Sequence, residues 1–280
     1  MVRAERFRGY SVKNRRIAVA VGSAMLALGV SAQATNLVTN GDFSQSNITP
    51  GTSAEAGSGT TGTYGGVSVT GWTISDFDIL WYAPTANSAS AASEYGGTQQ
   101  LAASFTELNN DANGDYILGI DADPTYGGPA SQTISGLTPN HSYVVTFDWA
   151  ATQLTNRSGT TSEQVLVCLT TASCSLSFPN QNVGTAATAS NGQGTSVVTI
   201  GSQGFSGWMQ QSFSFTATAS SETLTFLAFG SPQGQPPYAL LDNVSLYAVP
   251  EPASWALMTL GVAGVGFMAR RRRSLATAAA

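Results

Sequence analysis

Residues 142–150 read SYVVTFDWA, and in this run the side chains alternate. Tyr143, Val145, Phe147 and Trp149 fall on one face of an extended chain, with Val144, Thr146, Asp148 and Ala150 on the other. Successive side chains of a strand point to opposite faces, so a period of two with β-branched and aromatic residues predicts a half-buried β-strand. The preceding ISGLTPNHS carries the Gly, Pro and Asn of a strand connection. The same signal recurs at Val165–Leu169, Gln211–Phe215, Thr223–Phe229 and Tyr238–Tyr247. No stretch between residues 35 and 249 shows a useful helical period. About ten strands with Gly-rich connections predict an all-β, jelly-roll-like β-sandwich. Three low-complexity stretches interrupt it, Thr49–Gly66, Pro84–Ser93 and Gly184–Ser196, and are expected to be long surface loops. None marks a clean boundary, so residues 35–249 read as one domain with insertions.

The charges are segregated. Of eleven basic residues, six precede residue 17 and four are Arg270–Arg273, leaving Arg157 alone in the body. Against it stand fourteen carboxylates between Thr35 and Val249, a formal net of −13. Nucleic-acid binding needs clustered Lys and Arg to displace counterions, so this composition excludes it.

Both ends of the chain predict export. Six cations, the apolar run Ile17–Val30 and the small residues Ala32 and Ala34 form a signal peptide, residues 1–34, expected to be cut by signal peptidase after Ala34. An uncleaved anchor is the alternative. At the other end, Pro252–Ala269 is eighteen residues without a charge, near the lower limit for a single transmembrane helix, and Arg270, Arg271, Arg272 and Arg273 would hold its end in the cytoplasm. The two ends agree in placing the acidic body across the inner membrane. Pro250, Glu251 and Pro252 keep the junction extended and open to processing.

The order Pro-Glu-Pro, apolar helix and arginine cluster over residues 250–274 resembles the PEP-CTERM sorting signal of Gram-negative bacteria that make exopolysaccharide. That resemblance implies reading and removal by an exosortase, a transpeptidase-like membrane enzyme, and delivery from a membrane-anchored periplasmic intermediate to the cell surface or matrix. A permanent C-terminal anchor is the competing reading.

Cys168 and Cys174, with LTTAS between them, fit a disulfide closing a hairpin loop in an oxidising compartment, worth roughly 2 kcal/mol by loop entropy. His141 is the single histidine and no nucleophile constellation accompanies it, so no catalytic residues are assigned and triad hydrolysis is not expected. Asp111, Asn113 and Asp115 have the alternate spacing of a calcium loop, but Tyr116 and Ala122 stand where an EF-hand needs Gly and Glu.

The segments NLVTNGDFS (36–44), GWTISDFDILW (71–81), FDWAAT (147–152), GWMQQSFSFTATASSETLTF (207–226) and ALLDNVSL (239–246) are similar, in that order, to the choice-of-anchor C proteins and to galactose-binding-like jelly-roll modules. The resemblance implies a sandwich whose first and last strands lie close together, with glycan contact. It also implies a structural Ca2+ near Asp42 and Asp242, with Ser44 where those modules commonly carry Glu. On ISDFDILWY, alternation groups Asp76, Asp78 and Tyr82 opposite Phe77, Ile79 and Trp81, which makes Asp76, Asp78 and Tyr82 the candidate ligand contacts. Trp72, Trp81, Trp149 and Trp208 read as core. The function expected is a noncatalytic surface or matrix protein that associates with extracellular polysaccharide. Alternatives are an adhesive matrix component with no glycan site and a two-carboxylate glycosidase.

Overall fold

The computed structural model describes residues 35–56, 66–75, 77–86, 88, 91–92, 98–109, 116–123, 128–171, 174, 192–235, 237–250 and 258–266. The strands in chain order are β1 (Ala54–Glu55), β2 (Ile79–Tyr82), β3 (Ala91–Ala92), β4 (Thr98–Gln99), β5 (Tyr116–Asp121), β6 (Ala130–Ser135) and β7 (Ser142–Gln153). They continue with β8 (Thr161–Thr170), β9 (Gly192–Gly194), β10 (Val198–Ile200), β11 (Met209–Thr216), β12 (Ser221–Ser231) and β13 (Pro237–Ala248). One sheet runs β1-β2-β5-β13-β7-β11; the other runs β10-β8-β12-β6, with β9 also on β8. All of these pairings are antiparallel. The molecule is an all-β sandwich.

The alternation in 142–150 sets its core. Tyr143, Val145, Phe147 and Trp149 are all buried between the sheets, beside Val165 and Val167 of β8, Leu224 and Phe226 of β12, and Leu241 and Leu246 of β13. Phe147 meets Phe226 edge-on at 5.1 Å between ring centroids, and Trp72 stacks obliquely between Phe226 and Phe43 at 6.1 and 5.2 Å. Trp72 reaches this site without leaving its indole N–H unpaired, because Nε1 donates to the carbonyl of Asn40 at 3.0 Å. Each such ring removes enough apolar surface from water to contribute about 2–3 kcal/mol.

A second apolar layer covers part of the six-stranded sheet's outer face. Ile79, Trp81, Ile117, Ala150, Tyr238 and Leu240 pack there under Ala83, Ala86, Leu101, Ala103 and Leu108. The covering segment contains a short helix, Phe105–Leu108, begun by a capping box in which the Glu107 carboxylate accepts from both the N–H and the hydroxyl of Ser104 at 2.7 Å. On the outer face of the other sheet, Leu166, Cys168, Leu227 and Phe229 form a smaller cluster. Cys168 is joined to Cys174 by the expected disulfide, with their Cα atoms 6.1 Å apart, and Cys174 packs on that cluster.

The low-complexity stretches are not wholly loops. The first contributes β1, with Glu55 buried; the second contributes β3; the third contributes β9 and the buried Thr195. Thr195 Oγ1 accepts the N–H of Val165 at 3.0 Å, and its carbonyl accepts from the Gln164 side chain at 2.6 Å. Ladder bonds are made by backbone, so small residues can extend an existing sheet edge without a hydrophobic pattern of their own. Composition alone misses this.

The signal peptide, residues 1–34, lies outside the described residues. Of the expected transmembrane helix, 258–266 is helical and its apolar residues Met258, Leu260, Val262 and Val265 are exposed. Among the described residues no helix is long and apolar enough to cross a membrane. Glu251, Pro252 and Arg270–Arg273 also lie outside them.

Candidate functional site

The segment holding the candidate ligand residues is buried on both faces, contrary to the polar face expected from alternation. Leu80 and Tyr82 belong to the inter-sheet core, while Ile79 and Trp81 belong to the outer apolar layer. Strand β2 is an inner strand between β1 and β5, covered on one side by the second sheet and on the other by 83–108. Trp81 lies so close over Gly119 that a Cβ there would strike its ring, and it meets Tyr238 edge-on at 5.3 Å. Tyr82 is half-buried against Tyr116, 5.4 Å between centroids. Asp76 lies outside the described residues.

Asp78 is fully buried. One carboxylate oxygen accepts the N–H of Ser75 at 3.1 Å, the other the N–H of Asp121 at 3.3 Å. It sits in a carboxylate cluster that sequence spacing does not announce: Glu55, Asp78, Asp121 and Asp123 are each no more than 5% exposed. Asp121 Oδ1 accepts the N–H of Asp123 at 2.8 Å, and Asp123 Oδ2 accepts that of Gly234 at 2.6 Å. The Tyr238 hydroxyl donates to the carbonyl of Phe77 at 3.1 Å, and Phe77 holds a left-handed φ of 69°. Burial pushes the Asp121 carboxyl up from the usual 3.8 to about 8; the Asp123 N–H opposes this, the charges of Asp123 and Glu55 reinforce it, and Arg157 opposes it. Tyr238 is raised well above its ordinary value, first by burial and then by Asp121, Glu55 and Asp78. The body's single arginine therefore acts on this group of acids. Closed to solvent, these carboxylates can hold a proton and brace the ends of β2, β5 and β13, but they present no surface to a polysaccharide.

The chain's two ends meet at a seam. Asn36 Oδ1 accepts from the N–H groups of Val38 and Leu246, both at 3.0 Å; Leu37 N–H donates to Leu246 at 2.9 Å, and Val244 N–H to Gly41 at 2.9 Å. Gly41 is required there, since any Cβ would run into the Val244 carbonyl. The first segment thus lies along the last strand. Asp42 is exposed and its carboxylate accepts the Ser44 hydroxyl at 3.0 and 3.1 Å, a local turn. Asp242 is buried and accepts the N–H of Asn243 at 2.7 Å. Among the described residues no three His, Cys, Asp or Glu side chains group to hold a metal ion. Asp111, Asn113 and Asp115 lie outside the described residues.

The polar surface that is open lies further along the outer face of the six-stranded sheet. Register places Asp148 between Gln210 and Asp242, Thr146 between Ser212 and Ser245, and Val144 between Ser214 and Tyr247. Gln210, Ser212, Ser214 and Tyr247 are exposed. Thr146 and Ser245 share a hydrogen bond of 2.6 Å. A bulge between Asp242 and Ser245, with Asn243 at φ 53°, lets the Asn243 amide donate to Asp148 at 3.1 Å. The sequence held a signal for this face: it is the outward set of the 142–150 alternation.

Strand β13 ends at Ala248, and Val249 N–H still donates to Ser142 at 2.9 Å; Pro250, the first residue of the expected sorting motif, is exposed. Residues 248–273 match the family model described as the PEP-CTERM protein-sorting motif. No curated protein matches the chain. Solved structures to which it is similar include TmCBM61 in complex with β-1,4-galactotriose, at 12% identity over 77% of this chain and 100% of that one, TM-score 0.37. Another is a CBM4 structure, at 14% identity over 76% and 99%, TM-score 0.35. A third is the CBM22-1 xylan-binding domain of Paenibacillus barcinonensis Xyn10C, at 12% over 78% and 97%, TM-score 0.33. The β-sandwich thus runs, within one residue of its last strand, into a PEP-CTERM protein-sorting motif.

Proposed function

We propose that this chain is an exported, noncatalytic surface or matrix protein of a Gram-negative bacterium, released from its signal peptide by signal peptidase. An exosortase-type transpeptidase then takes it from the inner membrane to the surface. The observation that carries this reading is the sorting motif at 248–273, directly behind β13. The disulfide between Cys168 and Cys174 supports an oxidising destination. Mass spectrometry of protein from the cell envelope and the medium tests it. Mature ends near Thr35 and close to the Pro-Glu-Pro support the reading, and a chain that keeps Arg270–Arg273 in all fractions refutes the sorting step.

Association with extracellular polysaccharide is the finer part of the proposal, placed on the open polar face rather than on Asp78 and Tyr82. Tyr247 offers a ring to the apolar side of a pyranose, with the hydroxyls of Ser245, Thr146 and Ser212 in the next row along the face and Asp148 and Gln210 in the row beyond, within reach of a longer oligosaccharide. Retention on an exopolysaccharide column should fall with Tyr247→Ala and with Gln210→Ala while the fold is unchanged. Unaltered retention in both variants would leave an adhesive component with no site on this face.

A further inference from the structure

Where the chain crosses from one sheet to the other, three polar side chains are closed into the interior. Gln153 ends β7 in the six-stranded sheet, and Thr161 and Glu163 begin β8 in the other. Each is no more than 1% exposed. The odd-numbered residues of both strands, Val145, Phe147, Trp149 and Ala151 on β7 and Val165, Val167 and Leu169 on β8, make the inter-sheet core. Gln153, Thr161 and Glu163 continue those two inward sets. Register agrees. Glu163 pairs with Gly230 and Gln153 with Pro237, and a Cβ at Gly230 would strike the Pro237 ring, so the sheets nearly touch at this row.

The three carry complementary parts of one reaction. The Thr161 hydroxyl donates to Glu163 Oε1 at 3.2 Å. Burial holds the Glu163 carboxyl well above its ordinary 4.5, with the Thr161 hydroxyl and the Thr152 N–H opposing, so its ionised form is a stronger base than a surface glutamate. A hydroxyl in contact with such a base is an activated nucleophile. The Gln153 carboxamide is held by its oxygen: Oε1 accepts the N–H of Gln203 at 2.6 Å, a donor placed to stabilise negative charge there. Gln203 is itself fixed, since its amide donates to the carbonyls of Thr155 and Arg157 at 2.7 and 3.2 Å. The carboxamide nitrogen is not held. Among the described residues Gln153 Nε2 and Glu163 Oε2 are both buried without a hydrogen-bond partner, which a purely structural pairing would have satisfied.

We propose that Thr161 and Gln153 condense into an intramolecular ester. Glu163 takes the hydroxyl proton as the bond from Thr161 Oγ1 to Gln153 Cδ forms, and passes it to Nε2 as the Cδ–Nε2 bond breaks. Oε1 stays as the ester carbonyl and ammonia leaves. Nothing is oxidised and no co-reactant is consumed. The product ties β7 to β8 covalently across the sandwich, a link between sheets that the disulfide at Cys168 and Cys174 does not provide.

Arg157 makes the test direct. It is the one basic residue between Thr35 and Val249 and lies between the two linked positions, so trypsin on the unfolded, reduced chain cuts the body there and nowhere else. The full chain, purified folded, should weigh one ammonia less than its sequence requires. After digestion the two halves should stay joined in a denaturing gel, heavier by the water of the cut, until mild alkali hydrolyses the ester. Thr161→Val and Glu163→Gln should each restore the ammonia and let the halves separate, and Thr161→Ser should keep them joined. Wild-type halves that part without alkali overturn the proposal, whatever the variants do. So does an ammonia loss that survives in Thr161→Val, which would mark cyclisation at an Asn-Gly pair such as Asn40 and Gly41. Halves still joined in Glu163→Gln overturn that carboxylate as the base.

Discussion

Replacing Asp121 by Asn should flatten the dependence of stability on pH. In the fold this carboxyl keeps its proton to about pH 8, whereas its usual value is 3.8. Between those limits the native chain binds more protons than the unfolded chain, so stability is greatest below the lower value and is lost as pH rises through the upper one. Each pH unit costs up to about 1.4 kcal/mol, or at most roughly 6 kcal/mol over the whole interval. Asn keeps the shape and can still accept the Asp123 N–H that Oδ1 now receives. Its amide has Asp123 and Glu55 nearby as acceptors, the same charges that disfavour ionisation of Asp121. Urea unfolding of both proteins from about pH 4.5 to about 8.5 measures the effect as a shift in midpoint. The two should be close at the acid end, with the Asn variant the more stable by several kcal/mol at the alkaline end. Arg157→Gln, which removes the opposing charge, should carry the loss of stability to higher pH. Parallel curves for wild type and Asp121→Asn would show that the carboxyl ionises freely and would refute the closed cluster.

Other expectations follow from packing at particular atoms. Gly41→Ala should destabilise the sandwich by about 2–4 kcal/mol, since the seam must open to admit a methyl against the Val244 carbonyl; hydrogen exchange at Leu37 and Leu246 would rise first. Replacing Cys168 and Cys174 together by Ser should cost about 2 kcal/mol, read in urea, and leave the inter-sheet core unchanged. Phe226→Ala, at the centre of the aromatic stack, should cost about 3–5 kcal/mol, and a loss below about 1 kcal/mol would contradict the packing described.

Much of the fold could be read locally. The faces of 142–150 follow from the pleat, which makes side-chain direction a property of the strand itself, and Tyr143, Val145, Phe147 and Trp149 all point as expected. The same rule misled at 75–82, because alternation says which residues share a face and not what lies over each face. Both sides of β2 are covered, one by the second sheet and one by a segment that follows it in sequence. Short pairings such as β1 and β9 gave no signal, since their bonds belong to backbone and their side chains are Ala, Glu, Gly and Gln.

The amino-acid order by itself held the protein-sorting motif at residues 248–273 and the facing of the side chains along its strands. Charge segregation, an apolar run beside arginines and a period of two are written in neighbouring residues and need no partner to be recognised. Tertiary structure alone decided where the acids sit: Glu55, Asp78, Asp121 and Asp123 arrive from separate segments, and their burial and the retained proton come from what is packed around them. It also decided that the two ends meet, because the register of Asn36–Gly41 on β13 is a contact across some two hundred residues of chain. Local pattern fixes direction, whereas burial, charge state and proximity depend on neighbours that only folding supplies.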